Sequence, residues 1–108
     1  MVLKLSFLLV FFYLLSSCNS SNQEIDPNSS PKEKGKFLFM KHCASCHGID
    51  GQLGASGAKD LSTTNLSNRA VFLIISNGKN AMPPMKNMFK DSSEISLIIS
   101  HIKTLKKP

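Results

Sequence analysis

The chain has no tryptophan, one tyrosine and one arginine, Arg69. Its positive charge therefore comes from lysines, and these are scattered, with no basic run beyond Lys106-Lys107. Without a basic stripe or a recognisable reading motif, the sequence argues against nucleic acid as a partner. Long apolar runs are also missing. The longest, Leu5–Leu15, falls short of the roughly twenty residues that a membrane-spanning helix needs. Only three cysteines occur, and an odd number is not a disulfide framework. A structural zinc site needs about four ligands. The available donors are Cys43, Cys46, His42, His47 and His101, without a second clustered pair.

What remains is modest in size. The 108 residues leave room for one domain, and many of the 42% apolar residues lie in the first seventeen. Beyond that stretch the apolar content is small for a self-sufficient core. The formal net charge is +6, and about +5 for a chain starting at Cys18, which fits acidic protein partners or an anionic membrane surface.

The first segment reads as an export signal. Lys4 precedes the apolar run, and small residues follow up to Leu15-Ser16-Ser17-Cys18. This resembles the bacterial lipoprotein signal, in which the cysteine becomes lipidated and N-terminal. On that reading residues 1–17 are removed, Cys18 carries a lipid, and the mature protein sits on the periplasmic side of a bacterial membrane. Residues 18–30 then form a polar tether with a single apolar residue, Ile25. Such a composition does not order itself. Residues 31–108 form the folded domain.

The chemistry concentrates in Cys43-Ala44-Ser45-Cys46-His47. A C-x-x-C-H run reads as a c-type haem attachment site. Two thiols at this spacing can add to the two vinyl groups of one haem, and the adjoining histidine can ligate its iron. A redox-active dithiol uses C-x-x-C as well, but after a strand in a βαβ pattern. Here the preceding segment, Pro31–His42, reads as a helix. Dithiol and zinc chemistry stay as alternatives at this point.

The neighbouring residues carry a wider resemblance. Gly35-Lys36-x-x-Phe39, the Cys43–His47 motif and Gly48-Ile49-Asp50-Gly51 together resemble the class I, single-haem cytochrome c family, over roughly residues 32 to 105. The resemblance implies an all-α fold: a small helical bundle wrapped around one covalent haem c, its first and last helices crossing. It implies Cys43 and Cys46 as thioether attachment points and His47 as the proximal iron ligand. Gly78-x-x-x-Met82-Pro83 resembles the family's axial-methionine motif, so Met82 is the expected distal ligand, with Met85 and Met88 as rivals that otherwise serve as packing. Thioether sulfur is a soft ligand, and Met/His ligation raises a haem potential.

Helical expectations follow from pattern. Gly35, Leu38 and Phe39 form the inner stripe of the first helix. The glycine-rich stretch 48–66 is a long loop, which the resemblance implies wraps the haem edge, with Leu53 and Leu61 as apolar contacts and the Lys59 side chain either near a propionate or simply solvated. A second helix spans Arg69–Ser76, capped by Ser67 or Asn68, its core Val71–Ile75 apolar almost all round and hence buried, with a strand as its rival. Gly78 ends it. The last helix starts at an Asp91/Glu94 capping box and buries Ile95, Ile98, Ile99, Ile102 and Leu105. His101 stands where the family commonly has an aromatic residue and is expected half-buried on the first helix. His42 is expected to be exposed.

These residues point to single-electron transfer, Fe(II) to Fe(III) and back, between respiratory or dehydrogenase partners, by a carrier and not an enzyme. Lys41, Lys79 and Lys86 are candidates for steering an acidic partner. A peroxidase or gas-binding protein is the alternative, and it requires an open or displaceable sixth ligand.

Overall fold

The computed structural model describes residues 24–108. The leader and Cys18 lie outside the described residues. Within them four α-helices occur: α1 (Pro31–His42), α2 (Ala44–His47), α3 (Asn68–Asn77) and α4 (Ser92–Thr104). Single 3-10 turns lie at Ala55–Gly57 and Lys86–Met88, and no strand forms among the described residues. The fold is all-α, and no described helix is long and apolar enough to cross a membrane.

Helix α1 starts where Ser30 and Glu33 satisfy each other's backbone. The Ser30 hydroxyl accepts from Glu33 N–H (3.3 Å), and the Glu33 carboxylate accepts from Ser30 N–H (2.9 Å). Pro31 at the first helical position has no N–H to leave unpaired. The buried stripe is Gly35, Leu38 and Phe39, as the spacing predicts. At Gly35 a β-carbon would collide with the Leu97 backbone carbonyl. Helices α1 and α4 therefore cross with backbones nearly touching, and only glycine permits it.

Helix α4 presents Ile95, Ile98, Ile99 and Ile102 to that crossing, all buried. Its cap differs from expectation by one residue. Asp91 accepts from Ser93 N–H (2.7 Å), but Glu94 accepts from Lys90 N–H (2.9 Å) and not from its own cap residue. Asp91 itself is extended, at φ −158° and ψ 177°.

Helix α3 forms where the apolar run predicts it, one residue longer at each end, with Ser67 Oγ accepting from Ala70 N–H (3.2 Å). It is not buried all round: Ile75 and Ser76 are buried, whereas Leu73 is 43% exposed. Only one face of this helix packs onto the core.

Two histidines lie at the α1–α4 junction. His101 packs against Phe39, ring centroids 5.0 Å apart, and fills the aromatic position as expected. His42 departs from expectation: it is half-buried, edge-on to Phe89 at 5.2 Å. Burial, then the Lys36 charge, holds the His101 imidazole below its ordinary 6.5. Burial, then Lys41, lowers His42 as well, with Glu94 opposing. His101 Nε2 is buried without a hydrogen-bond partner.

Both rings therefore bind a proton less readily in the folded chain than in the unfolded one, and below about pH 6.5 the unfolded chain takes up protons ahead of the folded chain. Their contribution is complete above the unfolded value and is lost as pH falls from there through the folded values. His101→Phe keeps the ring and removes the orphaned nitrogen. It should raise stability by about 1 kcal/mol at neutral pH and flatten the acid limb of the urea-midpoint profile. An unchanged profile would show that His101 does not contribute to it.

The last part of the expected tether is ordered. Ile25 packs against the core, Ser29 N–H donates to the Asp26 carbonyl (2.9 Å), and Lys34 Nζ donates to the Pro27 carbonyl (3.0 Å). The polar composition concealed this because a single apolar side chain makes the anchoring contact.

Candidate functional site

Cys43 stands at the junction of α1 and α2. Its N–H closes the first helix on the Phe39 carbonyl (2.8 Å), and its own carbonyl starts the next turn by accepting from Cys46 N–H (3.2 Å) and His47 N–H (3.0 Å). This single turn sets the two thiols at i and i+3, which are neighbours on a helix surface. Both are free; Cys43 is buried in the core and Cys46 is exposed. Burial, reinforced by the neighbouring Cys46, pushes the Cys43 thiol up to about 11. A redox-active dithiol needs the reverse, a thiol with a depressed value. With no strand before the motif, the dithiol alternative loses its context. Zinc loses its ligands: among the described residues no three His, Cys, Asp or Glu side chains converge.

His47 is held from one side. Its Nδ1 lies 3.0 Å from the Lys59 carbonyl oxygen. A carbonyl only accepts, so Nδ1 carries the proton and Nε2 keeps its lone pair, the tautomer a metal ligand requires. The loop is folded to deliver that carbonyl. Leu53 N–H donates to the His47 carbonyl and Leu61 N–H to the Gly51 carbonyl, each at 2.8 Å. Just beyond Lys59, the Asp60 carboxylate accepts from Ser62 N–H (2.8 Å) and Ser62 Oγ (2.6 Å).

Lys59 therefore matters through its backbone, and its side chain is exposed. No side-chain pattern marks a backbone acceptor, so sequence reasoning missed it. Of the expected apolar loop contacts, Leu61 packs on the core and Leu53 is 61% exposed.

Met82 belongs to a tight turn. Lys79 and Met82 exchange two backbone hydrogen bonds, each 3.0 Å, around Asn80-Ala81. Asn80 takes a left-handed φ of 54°, which asparagine tolerates better than most residues. Beyond two prolines, Met85 N–H donates to the Ile75 carbonyl (2.9 Å) and ties the segment back to α3. Met82 and Met85 both pack at the core's edge. Met88 does not: it is 59% exposed, a correction to its expected packing role, because its 3-10 turn directs Phe89 inward instead.

The donors fit a covalently held haem. Two free thiols lie one turn apart, an imidazole beside them has its outer nitrogen free, and a thioether sits on a stiffened turn. The family described as "Cytochrome C oxidase, cbb3-type, subunit III" has a model that matches residues 30–102, about two thirds of the chain. The chain belongs to this cytochrome c family. No curated protein matches the sequence at a meaningful level.

A cytochrome c domain implies covalently bound haem c, electron transfer through it and redox partners to exchange electrons with. Such domains are generally carriers and not enzymes. The match begins at Ser30, the residue that caps α1, and ends at Ile102, the last buried isoleucine of α4. The cytochrome c domain thus coincides with the helical core.

Proposed function

We propose that this cytochrome c is a single-haem electron carrier tethered to a bacterial membrane on its periplasmic side. Cys43 and Cys46 form the thioethers, His47 Nε2 is the proximal ligand and Met82 sulfur the distal one. The observation that carries this reading is the His47 Nδ1 contact to the Lys59 carbonyl, which leaves the outer nitrogen free beside two free thiols. When bound, the haem supplies a one-electron Fe(III)/Fe(II) couple. The chain's part is to hold both axial donors in place, so that little moves when an electron arrives. The Lys59 carbonyl keeps the Nδ1 proton through the cycle, so electron exchange needs no proton transfer at His47.

Lipidation of Cys18 after removal of residues 1–17 supplies the tether. Because Ile25 already packs on the core, only six residues separate it from Cys18, and six residues reach at most roughly 20 Å. This is shorter than the twelve-residue spacer that composition alone suggests, and it keeps the domain close to its membrane.

Charge supports an acidic redox partner. Residues 24–60 carry five cations and five acids, whereas residues 61–90 carry Arg69, Lys79, Lys86 and Lys90 and no acid. All four cations are exposed, and the segment contains Met82. The second-order rate of electron exchange with its partner should fall steeply as salt rises. A flat salt profile would contradict this mode of docking. The haem assignment is tested by the oxidised visible spectrum, where a weak far-red band is expected from Met–Fe(III) ligation. Covalent haem without that band would favour the peroxidase or gas-binding alternative.

A further inference from the structure

The distal turn meets helix α3 at one residue, Gly78. It caps α3 with its N–H on the Ile74 carbonyl (2.8 Å) and has a left-handed φ of 76°. A β-carbon there would stand 2.7 Å from the Met82 carbonyl oxygen, 2.8 Å from Pro84 N and 2.9 Å from the Pro83 carbonyl carbon. All three are backbone atoms, of Met82 and the two prolines after it, and they cannot swing aside like the end of a long side chain. The other end of the segment is fixed by Met85 N–H on the Ile75 carbonyl. Met82 is thereby strung between two attachments to the end of α3, with its backbone laid on the bare face of Gly78.

We propose that Gly78 is the positioning residue of the distal ligand. Its missing side chain lets Met82-Pro83-Pro84 lie flat against the end of α3, which fixes where the Met82 sulfur can reach. The inference rests on Met82 being that ligand. Placing a β-carbon at Gly78 pushes the whole Met-Pro-Pro backbone outward and takes the sulfur with it, while the core made by α1 and α4 stays in place.

A second glycine controls for a positive φ elsewhere in the chain. Gly57 has a φ of 77°, and a β-carbon on it meets nothing within 4 Å. Gly57→Ala therefore puts a side chain at a positive φ without any collision, whereas Gly78 combines its φ with a ψ of 166°. The experiment uses the full chain matured with haem, as wild type, Gly78→Ala and Gly57→Ala. The readouts are the far-red band of the oxidised protein and the association rate of imidazole with the iron.

Gly78→Ala should lose the band and take up imidazole about tenfold faster or more, the factor expected from strain of the usual size. Gly57→Ala should match wild type in both. Retention of the band and of the wild-type imidazole rate in Gly78→Ala would overturn the inference. So would equal loss in Gly57→Ala, which would show that the effect is not specific to the contact with the Met82 turn. Should Gly78→Ala fail to accumulate, Pro84→Gly loosens the other side of the same contact without adding atoms. It should also speed imidazole binding, and an unchanged rate would overturn the inference. A wild-type protein without the far-red band, or a Met82→Ala variant that keeps it, would overturn the Met82 assignment itself, and this inference with it; a band lost in Met82→Ala but retained in Gly78→Ala overturns only the inference.

Discussion

Replacing both Cys43 and Cys46 with alanine should leave a protein with no haem that survives denaturation. The loss should be complete, because each thioether is formed by a thiol S–H adding across a vinyl group, and no other cysteine lies among residues 24–108. The single variants should differ from one another. Either remaining thiol can still hold haem by one bond, so both should stay coloured at lower yield. Their stabilities should diverge, however. Cys43 is only 8% exposed and belongs to the core, so Cys43→Ala also leaves a small void, worth about 1 kcal/mol. Cys46 is exposed, and Cys46→Ala carries no such penalty. Acid extraction of haem, with urea unfolding of each variant, checks both statements. Covalent haem in the double variant would remove the attachment role from this motif.

The second large effect is expected at Met82. Met82→Ala should abolish the far-red band and lower the midpoint potential by a few hundred millivolts, part of the roughly 0.8 V that axial ligation spans. It should also open the iron to peroxide and small ligands, the property that separates the carrier from its enzymatic alternative. Met85→Ala is the informative comparison. Met85 lies three residues on and also packs at the core's edge, but its N–H is committed to the Ile75 carbonyl. It should cost some packing and leave band and potential near wild type. If Met85→Ala and not Met82→Ala removed the band, the two roles would have to be exchanged. Redox titration with the oxidised spectrum distinguishes the cases.

Much of the fold was legible because it rests on period and punctuation. The isoleucines of α4 recur at helical spacing, and all but Leu105 of the predicted set are buried. Gly35 reads as a close crossing because glycine costs a helix interior something that packing must offset, and the Leu97 carbonyl accounts for it. Ser30-Pro31-Lys32-Glu33 carries the capping-box pattern at the start of α1, and a closer reading of that pattern would have found the cap.

What escaped the sequence depends on tertiary contact. His42 pairs with Phe89, which lies forty-seven residues away. Ile25 is one apolar residue in a polar stretch and still finds the core. The α3 run is apolar on every side, and periodicity cannot say which face will be covered.

The site divides in the same way. Cys43, Cys46, His47 and Met82 stand out by residue type and spacing, so they were legible as candidates. The groups that arrange them are backbone atoms: the Lys59 carbonyl on His47 and the Met82-Pro83-Pro84 chain against Gly78. A backbone carbonyl leaves no trace in residue identity. Gly78 leaves one, but the reason a glycine is needed there appears only with the distances.

The most direct test of the central claim is the mass of the purified mature protein under denaturing conditions, with tandem fragmentation of the peptide that contains Cys43–His47. One haem mass retained on that peptide, with both cysteines modified, is the predicted result. An unmodified peptide, from cells able to attach haem to other C-x-x-C-H proteins, would contradict the account and return these thiols to other chemistry.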